Sequence, residues 1–207
     1  MKTTPWTGAN DMLGFIRQHK SKNHIEIEFR LGKKNGNVFD TNVGKKVYED
    51  ALHSLKQYKG WENVAENRQV VYYGARKGLR VVYNEDTDEQ DCTTKHRAAV
   101  LDQVLDGWPV DIRIAASIEI PTIYDQEKDR FPETKNRLRT SFTRKGLVID
   151  VSKITRASTQ DKDQENSVEY QIEFEILDPA NLDSDSATFN HYHKVFDLLK
   201  CLFFTGT

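Results

Sequence analysis

Two short stretches near opposite ends of the chain hold the residues best able to do chemistry. His24-Ile25-Glu26-Ile27-Glu28-Phe29-Arg30 and Glu169-Tyr170-Gln171-Ile172-Glu173-Phe174-Glu175 each alternate acidic or polar side chains with apolar ones. Side chains alternate across a strand, so Glu26, Glu28 and Arg30 share one face, and Glu169, Gln171, Glu173 and Glu175 share another. A row of carboxylates is costly in an apolar core and must meet water, cations or a polar cavity. Two such rows from distant parts of one chain suggest a site for a hard divalent cation, bound through oxygen ligands and assembled by the fold.

Cations follow the same pattern in mid-chain. Lys135, Arg137, Arg139 and Ser141 share one face of a strand over Lys135 to Phe142. Adjacent like charges on a strand face repel and are tolerable around an anion. Arg80, Lys95, Arg97 and Arg113 extend the basic lining. Carboxylates on one wall and Arg or Lys on another suit a metal-bound polyanion, with cations gripping phosphate oxygens. Phosphoryl transfer needs that arrangement: neutralised charge, in-line positioning and an activated water. Taken singly, each acidic motif is also the pattern of a solvated strand face. The basic strand alone equally describes a surface patch for RNA or an acidic partner. Matched parity in all three strands joins them into one lumen. Other chemistries lack a motif: there is no P-loop and no nucleophile signature, and His191 and His193 do not share a helix face. Cys92 and Cys201 have no metal-ligand spacing, and no disulfide follows from them.

The elements that must position these residues are mostly strands. Apolar periodicity predicts helices over residues 8–20 and 43–59, the second capped by Thr41 or Asn42 and stopped by Gly60. Strands are expected over 24–31, 69–73, 79–84, 93–100, 111–120, 135–142 and 147–154, besides the closing acidic strand. Asn35-Gly36 marks a turn, residues 74–78 a hairpin, 85–91 a solvated acidic loop, 125–134 a charged connection and 160–167 a polar turn. A last helix over about 187–204 follows a cap at 183–186 and buries Phe189, Val195, Phe196 and Leu199. The sum is an α+β, mainly β protein. About eight antiparallel strands, each with one charged and one apolar face, close into a barrel with a charged lumen, and flanking helices cover part of the greasy outside.

Composition sets the outer bounds. The 207 residues suffice for one sizeable domain, and 37% hydrophobic content supports a core. The net charge of −2 hides 30 basic and 32 acidic side chains, which argues against bulk nucleic-acid coating while permitting a segregated interior of both signs. No run is long and apolar enough to span a membrane as a helix, and the N-terminus lacks a signal-peptide pattern. A reduced intracellular setting, cytoplasm or nucleus, is the expectation.

These residues resemble the triphosphate tunnel metalloenzyme family, and more closely the metal-dependent RNA 5′-triphosphatases of fungal, protozoal and large-DNA-virus mRNA capping systems. Ile25-Glu26-Ile27-Glu28-Phe29-Arg30-Leu31-Gly32 is similar to the family's opening ExExR strand. Asp111 to Glu119 before Pro121 resembles its mid-chain strand, and Lys135-Asn136-Arg137-Leu138-Arg139-Thr140-Ser141-Phe142 its basic strand. Val148 to Ile154 and Gln171-Ile172-Glu173-Phe174-Glu175-Ile176 resemble the strands that follow. The likeness covers residues 24 to 178 in the family's order; the ordered set is specific, whereas no member is specific alone.

The resemblance implies an eight-stranded closed tunnel and hydrolysis of the γ-phosphate of 5′-triphosphate-ended RNA, with NTPs as further substrates. It implies that Glu26, Glu28 and Glu175 hold magnesium or manganese and that Glu173 places the attacking water. Arg80, Arg137 and Arg139 would hold the terminal phosphate. Lys95, Lys135 and Arg113 would line the tunnel, and Glu119 and Asp150 would orient basic neighbours or water. Gln171 stands where many relatives carry an acid, and Lys135 where Arg is common. Residues 1–207 read as a single domain, either free-standing or the N-terminal part of a capping polypeptide with a guanylyltransferase in cis or in trans. A viral source would place it in the virion or viral factory. A small-polyphosphate hydrolase or cyclase of the same fold, and a non-catalytic triphosphate-end-binding module, are the rival readings.

Overall fold

The computed structural model describes residues 9–156, 168–182 and 185–204. Three helices, α1 (Ala9–His19), α2 (Lys45–Gln57) and α3 (Asp185–Phe204), accompany nine strands. In chain order these are β1 (Ile25–Asn35), β2 (Val38–Asp40), β3 (Asn63–Tyr73), β4 (Leu79–Asn84), β5 (Glu89–Gln103), β6 (Asp111–Pro121), β7 (Glu133–Arg144), β8 (Leu147–Arg156) and β9 (Val168–Ile176). The sheet runs β2-β1-β6-β5-β4-β3-β7-β8-β9, and a further β1–β9 pairing closes it. Closure leaves β2 outside the ring as a hairpin on the far end of β1, so the barrel itself has eight strands, all antiparallel to their neighbours.

Parity decides what faces where. Ile27, Phe29 and Leu31 of β1 point outward and are fully buried, as are Ile112 and Ile114 of β6 and Phe174 of β9. They meet Met12 and Ile16 of α1, Ala51 and Leu55 of α2, and Tyr192, Val195 and Leu199 of α3 in one apolar cluster. The hydrophobic core therefore lies between the barrel wall and the helices. Each fully buried Phe or Leu side chain there contributes about 1.5–3 kcal/mol over its exposed state. The lumen is left to the polar faces.

Several boundaries differ from the sequence expectation. β3 begins at Asn63 rather than at residue 69, because Glu62, Asn63 and Ala65 continue the backbone ladder along β7 although Asn63 and Val64 are exposed. β5 runs from Glu89 to Gln103, absorbing the end of the expected acidic loop, since Val82, Tyr83 and Asn84 pair with Asp91, Gln90 and Glu89. β2 is too short to leave a periodic signal; it folds tightly over β1, and a Cβ at Gly32 would lie 2.1 Å from the Asp40 carbonyl oxygen. α2 starts after Gly44 and has no side-chain cap. Asn42 instead accepts the backbone N–H of Gly44 at 3.1 Å and that of Tyr170 at 3.1 Å, tying the helix start to β9. Phe189 is 41% exposed and not part of the buried stripe of α3. The expected polar turn over 160–167 lies outside the described residues.

Candidate active site

The barrel encloses a cavity of about 520 Å³ whose polar lining comes from β1, β3, β4, β5, β6, β7, β8 and β9. Of the residues singled out by sequence, Glu26, Glu28, Arg80, Lys95, Glu119, Lys135, Arg137, Arg139, Asp150, Glu173 and Glu175 all line it. Arg113 does not. Its side chain has the right parity but is drawn to the rim, where Nε lies 2.6 Å from Asp102 and the guanidinium stacks 4.7 Å from the Phe39 ring centre. Phe39 lies on β2, the strand the sequence did not reveal, and this explains the difference.

The register sets the charge pattern. Glu28 lies opposite Glu175 and Arg30 opposite Glu173 on the β1–β9 pair; Asp150 lies opposite Glu173 on β8–β9. Opposite charges interlock rather than occupying separate walls. The Arg30 guanidinium lies 3.0 Å from Glu28 and 3.1 Å from Glu173. Arg139 lies 2.7 Å from Asp150 and 3.4 Å from Glu173. Lys95 lies 2.6 Å from Glu26, 3.7 Å from Glu28 and 3.9 Å from Glu119, and Arg80 donates to Glu119. Ser141 donates to Asp150 at 2.6 Å, and Arg137 Nε donates to Gln69 at 2.8 Å. Lys135 sits 5.6 Å from the Tyr73 ring centre.

Protonation follows from these contacts. Burial pushes Glu173 up, but Arg30, Arg139 and Arg137 outweigh it and hold its carboxyl at about 2. Burial first, then the Glu26 and Asp150 carboxylates, raise Glu175 to about 7. Burial raises Glu28 and Asp150 as well, against the pull of Arg30 on the first and Arg139 on the second. Burial, then the adjacent Arg139, lower Arg137 to about 10. The cations around Arg137 thus repel, while the carboxylates around Glu175 exceed the cations that reach them.

Among the described residues no three His, Cys, Asp or Glu side chains are drawn into one ion-binding cluster. Lys95 sits against Glu26 and Glu28, and Arg30 against Glu28 and Glu173. The donor set nonetheless fits a hard divalent ion: Glu26, Glu28 and Glu175 are all oxygen ligands lining one cavity, and Glu28 faces Glu175 directly.

Sequence reasoning gave Arg30 no role, although its shared face with Glu26 and Glu28 was legible. It is the cation that bridges the two acidic strands. Gln69 and Tyr73 carried no signal, because neutral residues on a strand look alike until the register places them beside Arg137 and Lys135.

A closed eight-stranded antiparallel barrel with an apolar outer wall and a lumen of paired charges is the triphosphate-tunnel architecture. The chain belongs to the family described as mRNA capping enzyme, beta chain, whose family model matches residues 17–203. It is 24% identical to the 5′RNA triphosphatase A449R of Paramecium bursaria Chlorella virus 1 over 179 residues, covering 84% of this chain and 86% of that protein. In fold it is similar to the S. pombe Pct1 RNA triphosphatase, with a TM-score of 0.81 at 18% identity over 97% of this chain and 94% of that one. It is also similar in fold to the Mimivirus capping enzyme triphosphatase, with a TM-score of 0.65 at 14% identity over 94% of this chain and 98% of that one.

Proposed function

We propose that this protein hydrolyses the γ-phosphate of 5′-triphosphate-ended RNA, leaving a diphosphate end and inorganic phosphate, the first step of mRNA cap formation. One observation carries the reading. The Nε donors of Arg80 and Arg139 are buried in the wall of the lumen with no hydrogen-bond acceptor. A buried donor left unpaired costs about 1–3 kcal/mol, and phosphate oxygens are acceptors of the right charge and shape for these forked cations.

Acids and bases line the cavity in equal number, so a bare triphosphate would leave it strongly negative. A divalent cation, magnesium or manganese, would offset part of that charge. Glu26, Glu28 and Glu175 would hold it, and when bound it supplies Lewis-acid withdrawal of charge from the phosphate oxygens. Arg137, Arg139 and Arg80 hold the terminal phosphate and stabilise charge gathering on its oxygens in the transition state. Lys95 and Lys135 add point charges along the tunnel. Glu173, ionised because Arg30 and Arg139 flank it, accepts a hydrogen bond from the attacking water and sets its line of approach. Asp150 and Glu119 fix Arg139 and Arg80 in place. The leaving group is the β-phosphate oxygen of the RNA end, and no covalent enzyme intermediate forms.

The same lumen admits the triphosphate of free NTPs. The diphosphate-ended product is the acceptor for a guanylyltransferase acting in cis or in trans, inside the cell. The test is release of phosphate from γ-labelled triphosphate-ended RNA with magnesium or manganese, repeated with chelator. Release that disappears on chelation is expected. A folded, metal-supplied protein that releases none would overturn the proposal.

A further inference from the structure

The tunnel wall has a second opening. Beyond Lys95, β5 loses the β3–β4 hairpin as a neighbour, since Leu79 is the last β4 residue to pair with it and Gly78 the last to bond to it, and from there β5 is paired with β6 alone. The gap is a window of about 530 Å³ that shares Glu28, Arg30, Tyr73, Arg80 and Lys95 with the tunnel cavity, so the two are continuous. Its outer rim carries Lys77 and Arg97.

Both cations are placed by special backbone. Gly78 has φ +81°, and a Cβ there would come within 2.5 Å of the Lys95 carbonyl oxygen. Only glycine lets the β3–β4 turn approach β5 so closely, with Lys95 N–H donating to the Gly78 carbonyl at 2.9 Å. That contact sets Lys77 at the rim. On β5 the register with β6 slips between Arg97 and Ala99, a bulge of the kind that re-aims a side chain beside a site.

Charge separates this window from the neighbouring stretch of the same rim, on β7, β8 and β9. There, Lys135 lies 3.6 Å from Glu133 and 3.9 Å from Glu169, and Arg156 lies 3.7 Å from Glu169, so the cations are already matched. At the window, both Lys77 and Arg97 are exposed, and neither has a carboxylate partner among the described residues. Two unmatched cations at a break in the wall, continuous with a phosphate-gripping lumen, form a path for a second, longer stretch of polyanion.

We infer that the window bounded by Lys77 and Arg97 is where the RNA chain leaves the tunnel, its backbone phosphates held by these two side chains while the 5′-triphosphate occupies the lumen. The inference rests on the triphosphatase reading and adds the feature that would favour RNA over a free nucleotide or an inorganic polyphosphate. Phosphate contacts of this kind are not base-specific and weaken with salt.

The test uses the Lys77→Ala/Arg97→Ala double variant; both side chains are exposed, so the fold is expected to persist. With magnesium or manganese present, two quantities are measured: KM and kcat for triphosphate-ended RNA of about ten nucleotides, and the inhibition constant of inorganic tripolyphosphate. The KM for RNA is expected to rise about tenfold at low salt, with the gap to wild type closing as salt is added. The kcat and tripolyphosphate inhibition stay at the wild-type values. An unchanged KM in a variant whose wild-type parent is active on RNA would overturn the window and leave the triphosphatase reading standing. Weakened tripolyphosphate inhibition would assign the two cations to the triphosphate itself and equally overturn it. A wild-type protein that releases no phosphate from RNA would instead overturn the triphosphatase reading.

Discussion

Glu28 of β1 stands directly opposite Glu175 of β9, a buried and a half-buried carboxylate face to face across an antiparallel pair. Like charges so placed are destabilising. Burial, Glu26 and Asp150 raise the Glu175 carboxyl from 4.5 to about 7. Between those values the folded protein binds a proton that the unfolded chain does not. The stability this group confers is therefore fully present below about 4.5 and is lost as pH rises through about 7. In chelator at pH 8, Glu175→Gln is expected to raise the thermal midpoint by about 3 °C, and the gain should shrink as pH falls and vanish below about 4.5. A midpoint that falls at pH 8 would mean Glu175 is charged at no cost. The same variant loses hydrolysis, since an amide is a poor ligand for a divalent ion.

Glu28→Ala is expected to reduce phosphate release below about a tenth of wild type while the far-ultraviolet circular dichroism stays unchanged. The side chain is only 5% exposed, but it faces the lumen, away from the apolar cluster. Activity above that level would remove Glu28 from the metal site.

Arg139 bridges Asp150 and Glu173 from two different nitrogens. A lysine can keep the charge but not the fork. Arg139→Lys should lower kcat by about a hundredfold with a smaller effect on KM, the signature of contacts made mainly in the transition state. Kinetics indistinguishable from wild type would show that Arg139 does not touch the reacting phosphate.

Arg113 separates fold from function. Its guanidinium makes paired contacts to Asp102 at 2.6 Å and 3.0 Å and covers the Phe39 ring. Arg113→Ala leaves a nearly buried carboxylate with Lys34 as its other partner. We expect a loss of about 2–3 kcal/mol by urea unfolding and an unchanged KM for RNA. A raised KM with unchanged stability would return Arg113 to the tunnel lining.

The charged lumen was legible because strand parity is a local property. Glu26, Glu28 and Arg30 must share a face whatever the partner strand, and the same holds for Lys135, Arg137 and Arg139. Their apolar alternates had to face a core, so an inverted barrel, wet inside and greasy outside, followed from the sequence. Register is not local. Whether Glu28 meets Glu175, whether Lys95 reaches Glu26, and that Arg113 is claimed by Asp102 are set by how the strands stagger as the sheet closes on itself. The window behind Lys77 and Arg97 exists because β4 is shorter than β5, a difference in length between neighbours that have meaning only once they are paired. Sequence by itself determined which strand faces carry the charges; the closed hydrogen-bond ladder decided which side chains stay in the lumen, which charges neutralise one another and which are left free to hold a phosphate.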